Sequence, residues 1–231
     1  MKKVLTFSLW GSIPKYTIGA IKNAQQFLDF YPEFESWFYV HEETVPKEII
    51  KQLSHQPKTI VILKSGDLEK MKPEMWRFEA IDDPNVEVMM PRDTDTRILL
   101  REKLAVQEWL SSSKLFHIMR DNPYHGHFIM AGMFGTRKIP EIPCWNELIH
   151  NFENDWKKGY DQEFLKQFIY PNIIGNCMIH ASFHKFENDT CLDFPISHEK
   201  DDYKFVGEYI YEDDSRDLNF INNLKNALNH S

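Results

Sequence analysis

The sequence predicts an α/β domain: a mostly parallel central sheet with helices on both faces. Three observations lead there. Hydrophobic periodicity in the first half switches repeatedly between the strand spacing of two and the helix spacing of 3.6. The strand candidates are runs of apolar, β-branched or aromatic residues, as strands buried on both faces require. And 231 residues, 42% of them hydrophobic, can build one sizeable core.

Residues 4–9 read as the first strand, and Gly11, Ser12 and Pro14 then turn the chain. Residues 16–30 form a helix with Thr17, Ile21, Ala24 and Leu28 on one face. Residues 37–40 make the second strand. Pro46 opens a helix to about Leu53, with Thr44 as its cap. Residues 59–63 are a third strand, residues 76–81 a short helix, and residues 82–85 a turn. Residues 86–90 complete a fourth strand. This alternation yields parallel strands joined by crossover helices.

Residues 99–110 read as an amphipathic helix, and residues 115–119 as a strand that delivers Arg120 and Asp121 at its carboxyl end. Residues 128–133 form a short strand. Beyond Pro140 and Pro143 the pattern is helical through residues 145–148 and 160–168. Residues 176–183 and 205–211 are strands, and residues 215–230 a terminal helix. No repeat or Gly/Ser linker divides the chain. It is therefore expected to be one catalytic domain, with residues 1–110 as its first half and residues 111–231 as its second.

The formal net charge of −8 gives no general attraction for nucleic acid, so no nucleic-acid partner is expected. An anionic small ligand needs local cations or a metal. Cys144, Cys177 and Cys191 are too few and too scattered for a disulfide framework, which points to a reducing compartment. The N-terminal apolar run is short and reads as a buried strand rather than a leader. No stretch approaches the roughly 20 apolar residues of a membrane span. A cytoplasmic location is expected, with peripheral attachment to a membrane left open.

The chemistry concentrates after the fourth strand, at Arg92-Asp93-Thr94-Asp95-Thr96-Arg97. Open α/β sheets bind ligands at the carboxyl ends of their strands. Two carboxylates one residue apart on such a loop suit a hard divalent ion, Mn²⁺ or Mg²⁺, which takes one or two carboxylates together with substrate phosphates. Asp93 and Asp95 are the candidate metal ligands. Arg92, Arg97 and Arg101 stand nearby in sequence, and guanidinium groups pair well with phosphate oxygens. The blander reading is a surface loop of Arg–Asp ion pairs.

With these residues in view, the chain resembles the GT-A glycosyltransferases, the nucleotide-diphospho-sugar transferase superfamily. Asp93-Thr94-Asp95 is similar to their DxD motif in chemistry and position. Further segments resemble a small subfamily: Phe7-Ser8-Leu9-Trp10-Gly11, Arg101-Glu102, Glu108-Trp109-Leu110, His117-Ile118-Met119-Arg120-Asp121 with His125, and Ala131-Gly132-Met133-Phe134-Gly135. The likeness spans residues 4–138 and weakens beyond them. It implies a GT-A (Rossmann-like) sheet with a nucleotide-sugar-binding first half and a helical, acceptor-binding second half. It also implies transfer of a sugar from a nucleotide-diphosphate donor to a glycan or other hydroxyl acceptor. Phe7, Ser8 and Leu9 would lie near the donor base and ribose. Asp93 would face ribose or metal, and Asp95 would be the principal ligand. Arg97 and Arg101 would meet phosphate or brace the acid pair. Gly132 and Gly135 would let backbone pass close to substrate.

Asp121, after a strand and before Asn122-Pro123, is the candidate general base for direct displacement, with His117 and His125 in reserve. His117 on an apolar strand reads more simply as a core histidine. His180 is a candidate third metal ligand, since GT-A enzymes often use a late histidine. Its partner at His184 shares a face only if the segment is helical, and residues 177–183 look at least as strand-like. Trp145 and Trp156 are core residues by default and a sugar-stacking platform at best. Residues 144–170 are candidates for a lid.

Two alternatives remain at this stage. A haloacid-dehalogenase-like phosphohydrolase would use Asp93 as nucleophile and Asp95 as acid/base. Arg97 stands where its motif needs Thr or Val, three strands precede the motif instead of none, and only Asp213-Asp214 offers its later acidic pair. The other alternative is a non-catalytic nucleotide-sugar-binding module.

Overall fold

The first strand, β1 (Lys2–Leu9), carries its side chains alternately to two different cores. Val4 packs with Trp37, Tyr39 and Phe78 on one face. Leu5, Phe7 and Leu9 pack with Ala20, Phe27 and Phe38 on the other. The period of two makes this sorting obligatory, and an apolar run with little alternation is its sequence signature. The computed structural model describes residues 1–142, 144–153 and 159–229.

The remaining strands are β2 (Glu35–His41), β3 (Thr59–Lys64), β4 (Val86–Pro91), β5 (Phe116–Arg120), β6 (Phe134–Arg137), β7 (Cys177–Ala181) and β8 (Cys191–Leu192). They form one eight-stranded sheet in the order β3-β2-β1-β4-β6-β5-β7-β8. β6 runs antiparallel to both its neighbours, β4 and β5. The other five pairings are parallel. The α/β class and the mostly parallel sheet are as the sequence predicts. The sheet passes through both halves of the chain without a break.

Helix α1 (Pro14–Phe30) starts at a proline, whose missing N–H costs nothing in the first turn. It lays Ala20, Ala24 and Phe27 on the sheet. α2 (Lys47–Ser54) and α3 (Leu100–Ser111) follow β2 and β4. A 3-10 helix, Pro73–Asp82, covers the opposite face, with Met75, Trp76 and Phe78 buried. Asp82 then caps α4 (Trp145–Asn151), accepting from the backbone N–H of Trp145 at 2.9 Å and of Asn146 at 2.7 Å. α5 (Tyr160–Phe164) runs through a π-helical turn, Leu165–Ile169, into α6 (Tyr170–Ile173). The terminal helix is α7 (Leu218–Asn229); the expected extension to His230 lies outside the described residues.

Two expected strands are absent. Residues 128–133 form turns, with Met133 donating to the Met130 carbonyl at 2.9 Å, and the strand begins only at Phe134. Residues 205–211 make only isolated bridges, Thr96 to Tyr209 and Ile210 to Arg216. Gly207 at φ 79° breaks the extended run, in a left-handed conformation that β-branched neighbours cannot share. Among the described residues, no helix is long and apolar enough to cross a membrane.

Candidate functional site

Chain order reverses between β1 and β4, the two central parallel strands. A crevice is expected at the carboxyl ends of such strands, where crossovers leave in opposite directions. A cavity of about 890 Å³ opens there. Ser8 and Leu9 from β1 line it, with Glu74 and Arg77 from the 3-10 helix and Asp93 to Thr96 from the loop after β4. His125, Gly132, Asp161 and Tyr209 complete the wall.

The acidic loop is fixed from several sides. Arg92 N–H donates to the Thr6 carbonyl at 2.9 Å, extending the β1–β4 pairing by one residue. The Thr96 hydroxyl donates back to the Asp93 carbonyl at 2.9 Å, a local turn that orients both carboxylates. Asn23 on α1 donates to the Thr94 carbonyl at 2.9 Å. A β-carbon on Gly19 would lie 2.2 Å from that same carbonyl oxygen, so helix and loop meet only because Gly19 has none.

The electrostatics are acidic in sum. Buried Arg77 bridges two carboxylates, donating from Nη1 to Asp93 and from Nη2 to Asp161 at 2.9 Å. Lys15 Nζ lies 2.8 Å from Asp95 Oδ2. Burial and the Asp93 charge push the Asp95 carboxyl up, against the pull of Lys15. Burial pushes Asp161 up as well, against Arg77. Glu74, half-buried beside Asp161, is pushed up to about 7 by desolvation and the Asp161 charge. Four carboxyl groups therefore face two cations. Oδ2 of Asp93 accepts no hydrogen bond from any described residue and faces Gly132, where a β-carbon would sit 2.0 Å from it. Among the described residues no three His, Cys, Asp or Glu side chains gather as a metal site, so a hard divalent cation here would take the two carboxylates and draw its remaining ligands from substrate or water.

His125 also faces the cavity. Its Nδ1 accepts from the Asp121 N–H at 3.0 Å, so in the neutral ring the proton is on Nε2. Burial lowers its pKa to about 4, and the ring stays neutral near pH 7. It is a hydrogen-bond donor to the cavity and not a base.

Of the predicted site residues, the structure brings Ser8, Leu9, Asp93, Asp95, His125 and Gly132 together at the cavity. It places the others elsewhere. Phe7 points to the opposite face and stacks on Phe38 at 4.5 Å, because it alternates with Ser8 along β1. The Arg92 guanidinium is buried against Glu102 at 2.8 Å and the Phe134 carbonyl at 2.8 Å, so it braces the core. Arg97 turns away from the cavity to the Thr96 carbonyl and to Asp214. Arg101 grips Asp121 with two bonds of 2.9 Å each.

Asp121 is fully buried and does not line the cavity. It also accepts from Ser182 Oγ at 2.6 Å and from the Val206 N–H at 2.9 Å, with His198 Nε2 at 3.0 Å. Burial pushes its carboxyl up, but His198 and Arg101 together outweigh that and hold it below the ordinary range. Such a group has no open lone pair to receive a proton, and the general-base expectation is corrected.

His180 sits on β7, fully buried, between His117 Nε2 at 2.8 Å and Glu108 at 3.0 Å. The strand-like reading of this segment is the right one. It separates His180 from His184, which bonds the Pro123 carbonyl, and neither ring reaches the acid pair. His117 is a core histidine stacked on Trp109. Gly135 admits the Trp109 ring, 2.5 Å from where a β-carbon would be, so its role is packing. Trp145 is buried among Phe78, Phe134 and Phe164 and offers no platform to a sugar. Trp156 lies outside the described residues, as does part of the expected lid; of that segment, Gly159, Asp161 and Gln162 line the cavity.

Sequence reasoning missed Lys15, Glu74, Arg77 and Asp161. Arg77 had a signal: a lone arginine amid Trp76, Phe78 and Ile81 must be paired to be buried. The others look like ordinary surface charges in sequence.

The later acidic pair needed by a phosphohydrolase fails its structural test. Asp213 and Asp214 lie on an exposed turn, with no strand before them, and Asp214 pairs with Lys22 at 2.6 Å. No family model matches the chain, and no curated protein does. It is similar to the solved structure of a glycosyltransferase involved in glycosylation of the major capsid of PBCV-1, with 15% identity, 78% of this chain and 82% of that chain covered, and a TM-score of 0.49. A protein from Desulfovibrio desulfuricans G20 described as a nucleotide-diphospho-sugar transferase shares 11% identity over 72% of this chain and 76% of its own, at a TM-score of 0.43. For 4-diphosphocytidyl-2C-methyl-D-erythritol synthase from Anaerococcus prevotii DSM 20548 the values are 12%, 71%, 83% and 0.44. Likenesses this distant assign no activity to this chain.

Proposed function

We propose that the chain is a metal-dependent glycosyltransferase, moving a sugar from a nucleotide-diphosphate donor to a glycan or other hydroxyl acceptor by direct displacement. The observation that carries the reading is the placement of Asp93 and Asp95. Both face one cavity at the β1–β4 switch point, on the loop after the fourth strand where the GT-A resemblance puts a DxD pair. Asp93 and Asp95 would hold Mn²⁺ or Mg²⁺, which supplies charge neutralisation at a departing diphosphate.

The protein's own groups have distinct parts in this reading. Arg77 holds Asp93 in place and supports Asp161 across the cavity floor. His125 donates its Nε2–H to a substrate oxygen. Glu74 replaces Asp121 as the group that takes the acceptor proton: it lines the cavity, and a carboxyl poised near 7 is matched to that task at neutral pH.

Thermal-shift titration with a panel of nucleotide sugars, with and without Mn²⁺, tests the proposal. A ligand bound only by the folded state raises Tm by mass action. A donor that raises Tm only with Mn²⁺ and is hydrolysed or transferred supports the reading. No shift with any nucleotide sugar, or binding with no turnover in the presence of acceptors, counts against it.

A further inference from the structure

Lys15 stands second in α1, where the helix dipole disfavours a cation, and no acidic residue occupies that first turn to offset it. The side chain is nevertheless mostly withdrawn from solvent, at 20% exposure. Its ammonium meets Asp95 Oδ2 at 2.8 Å and lies between two aromatic faces, 4.5 Å from the Tyr16 centroid and 4.4 Å from the Tyr209 centroid. Ring faces attract cations through their quadrupole, and partial desolvation strengthens the attraction.

The cage is built in. Tyr209 is fixed by its hydroxyl, which donates to Asp217 at 2.9 Å, and by the backbone bridge to Thr96. The next residue, Ile210, donates its N–H to the Asp95 carbonyl at 2.6 Å. The segment carrying Tyr209 is thus stitched to the acidic loop itself. Lys15, Tyr16, Tyr209 and Asp95 all line the same cavity.

We propose that Lys15 is the internal counter-ion of Asp95: a divalent cation entering the acid pair displaces the ammonium, which the Tyr16 and Tyr209 rings keep in the cavity to meet the donor's diphosphate. The inference rests on the metal reading above and deepens it. Lys15 occupies Oδ2 of Asp95, and a divalent ion bound to the same carboxylate through either oxygen would lie within a few ångströms of the ammonium and repel it, so the two cations compete for one negative charge. Among the described residues the ammonium's other close partners are the neutral Tyr16 and Tyr209 rings, so a displaced ammonium would be matched by an anionic phosphate. Lys15 therefore acts with opposite signs on the two ligands, which a merely structural lysine does not.

The test is isothermal titration of Mn²⁺ alone into the wild-type chain, Lys15→Met and Asp95→Asn. It is followed by titration of ADP, CDP, GDP and UDP, each in saturating Mn²⁺. Lys15→Met is expected to bind Mn²⁺ about tenfold more tightly and to bind the preferred nucleoside diphosphate about tenfold more weakly. Tyr209→Leu keeps the lysine but removes one wall, and should move both constants the same ways by less; it also serves if Lys15→Met folds poorly. If Asp95→Asn weakens Mn²⁺ binding while Lys15→Met and Tyr209→Leu leave it unchanged, the counter-ion role is wrong and the metal site stands. If Mn²⁺ binding ignores Asp95→Asn, or is absent from every protein, the metal reading fails and the inference falls with it.

Discussion

The Gly132 backbone approaches the Asp93 carboxylate so closely that a β-carbon there would lie 2.0 Å from Oδ2 and 2.6 Å from Cγ. A side chain at position 132 cannot be accommodated unless the carboxylate moves. Gly132→Ala is therefore expected to fold, with Asp93 turned from its place beside Arg77. Donor affinity should fall by about tenfold or more, the scale of one misplaced ligand. Titration of the donor with Mn²⁺, alongside a melting curve, checks this. Wild-type affinity in a folded Gly132→Ala chain would show that Asp93 is not at the ligand.

Glu74 is ionised only above about pH 7, because burial and Asp161 raise its pKa. A base must be deprotonated to act, so the transfer rate should rise with pH through that value and level off above it. Glu74→Gln should lose this limb and on the order of a hundredfold or more in rate. An unaltered pH profile in the variant would remove Glu74 from the reaction.

Asp121 and Arg101 form a buried, doubly bonded ion pair tied to β7 and to the 205–211 segment. Breaking such a pair strands a charge in the interior, at a cost of about 3 kcal/mol. Asp121→Asn is expected to lower Tm by several degrees while the KM for donor stays near the wild-type value. A large loss of kcat at unchanged Tm would restore the general-base role that its position after β5 suggested.

Burial lowers the pKa of His125 to about 4 and that of His117 well below the usual value. In the unfolded chain both bind protons near pH 6.5. Below that point the unfolded state holds more protons, so stability present above pH 6.5 is lost as pH falls towards 4. For His125 the loss is at most on the order of 3 kcal/mol. In a Glu74→Gln background, which removes the opposing gain from a carboxyl raised to about 7, urea midpoints from pH 7.5 to 4.5 should decline across this window. His117→Phe, which keeps an aromatic ring beside Trp109, should flatten the decline; an equally steep decline would place its origin elsewhere.

Strands β1, β2, β4 and β5 and the parallel order were legible because burial leaves unbroken apolar runs, whereas β3, an edge strand with no buried residue, was legible from its β-branched run Thr59-Ile60-Val61-Ile62. β8 was not: Cys191–Leu192 is too short to show a period. Residues 205–211 misled because their aromatic and β-branched content outweighed one left-handed glycine. Within the site, the acid pair was readable because both carboxylates sit on one short loop. Asp161 and Glu74 are 87 positions apart, and the packing of α5 on the 3-10 helix joins them, through Phe164 on Phe78 and the Glu74 N–H donating to the Tyr160 hydroxyl. Arg92 and Arg101 misled in the opposite way. Closeness in sequence to the acid pair suggested phosphate contacts, yet the strand and helix carrying them turn both guanidinium groups into the interior.

The most direct measurement is titration of a nucleotide sugar into Asp95→Ala with and without Mn²⁺. The wild-type chain is expected to bind the donor far more tightly with Mn²⁺, and the variant, with a normal melting curve, to show no such gain. Undiminished Mn²⁺-dependent binding in Asp95→Ala would contradict the metal reading.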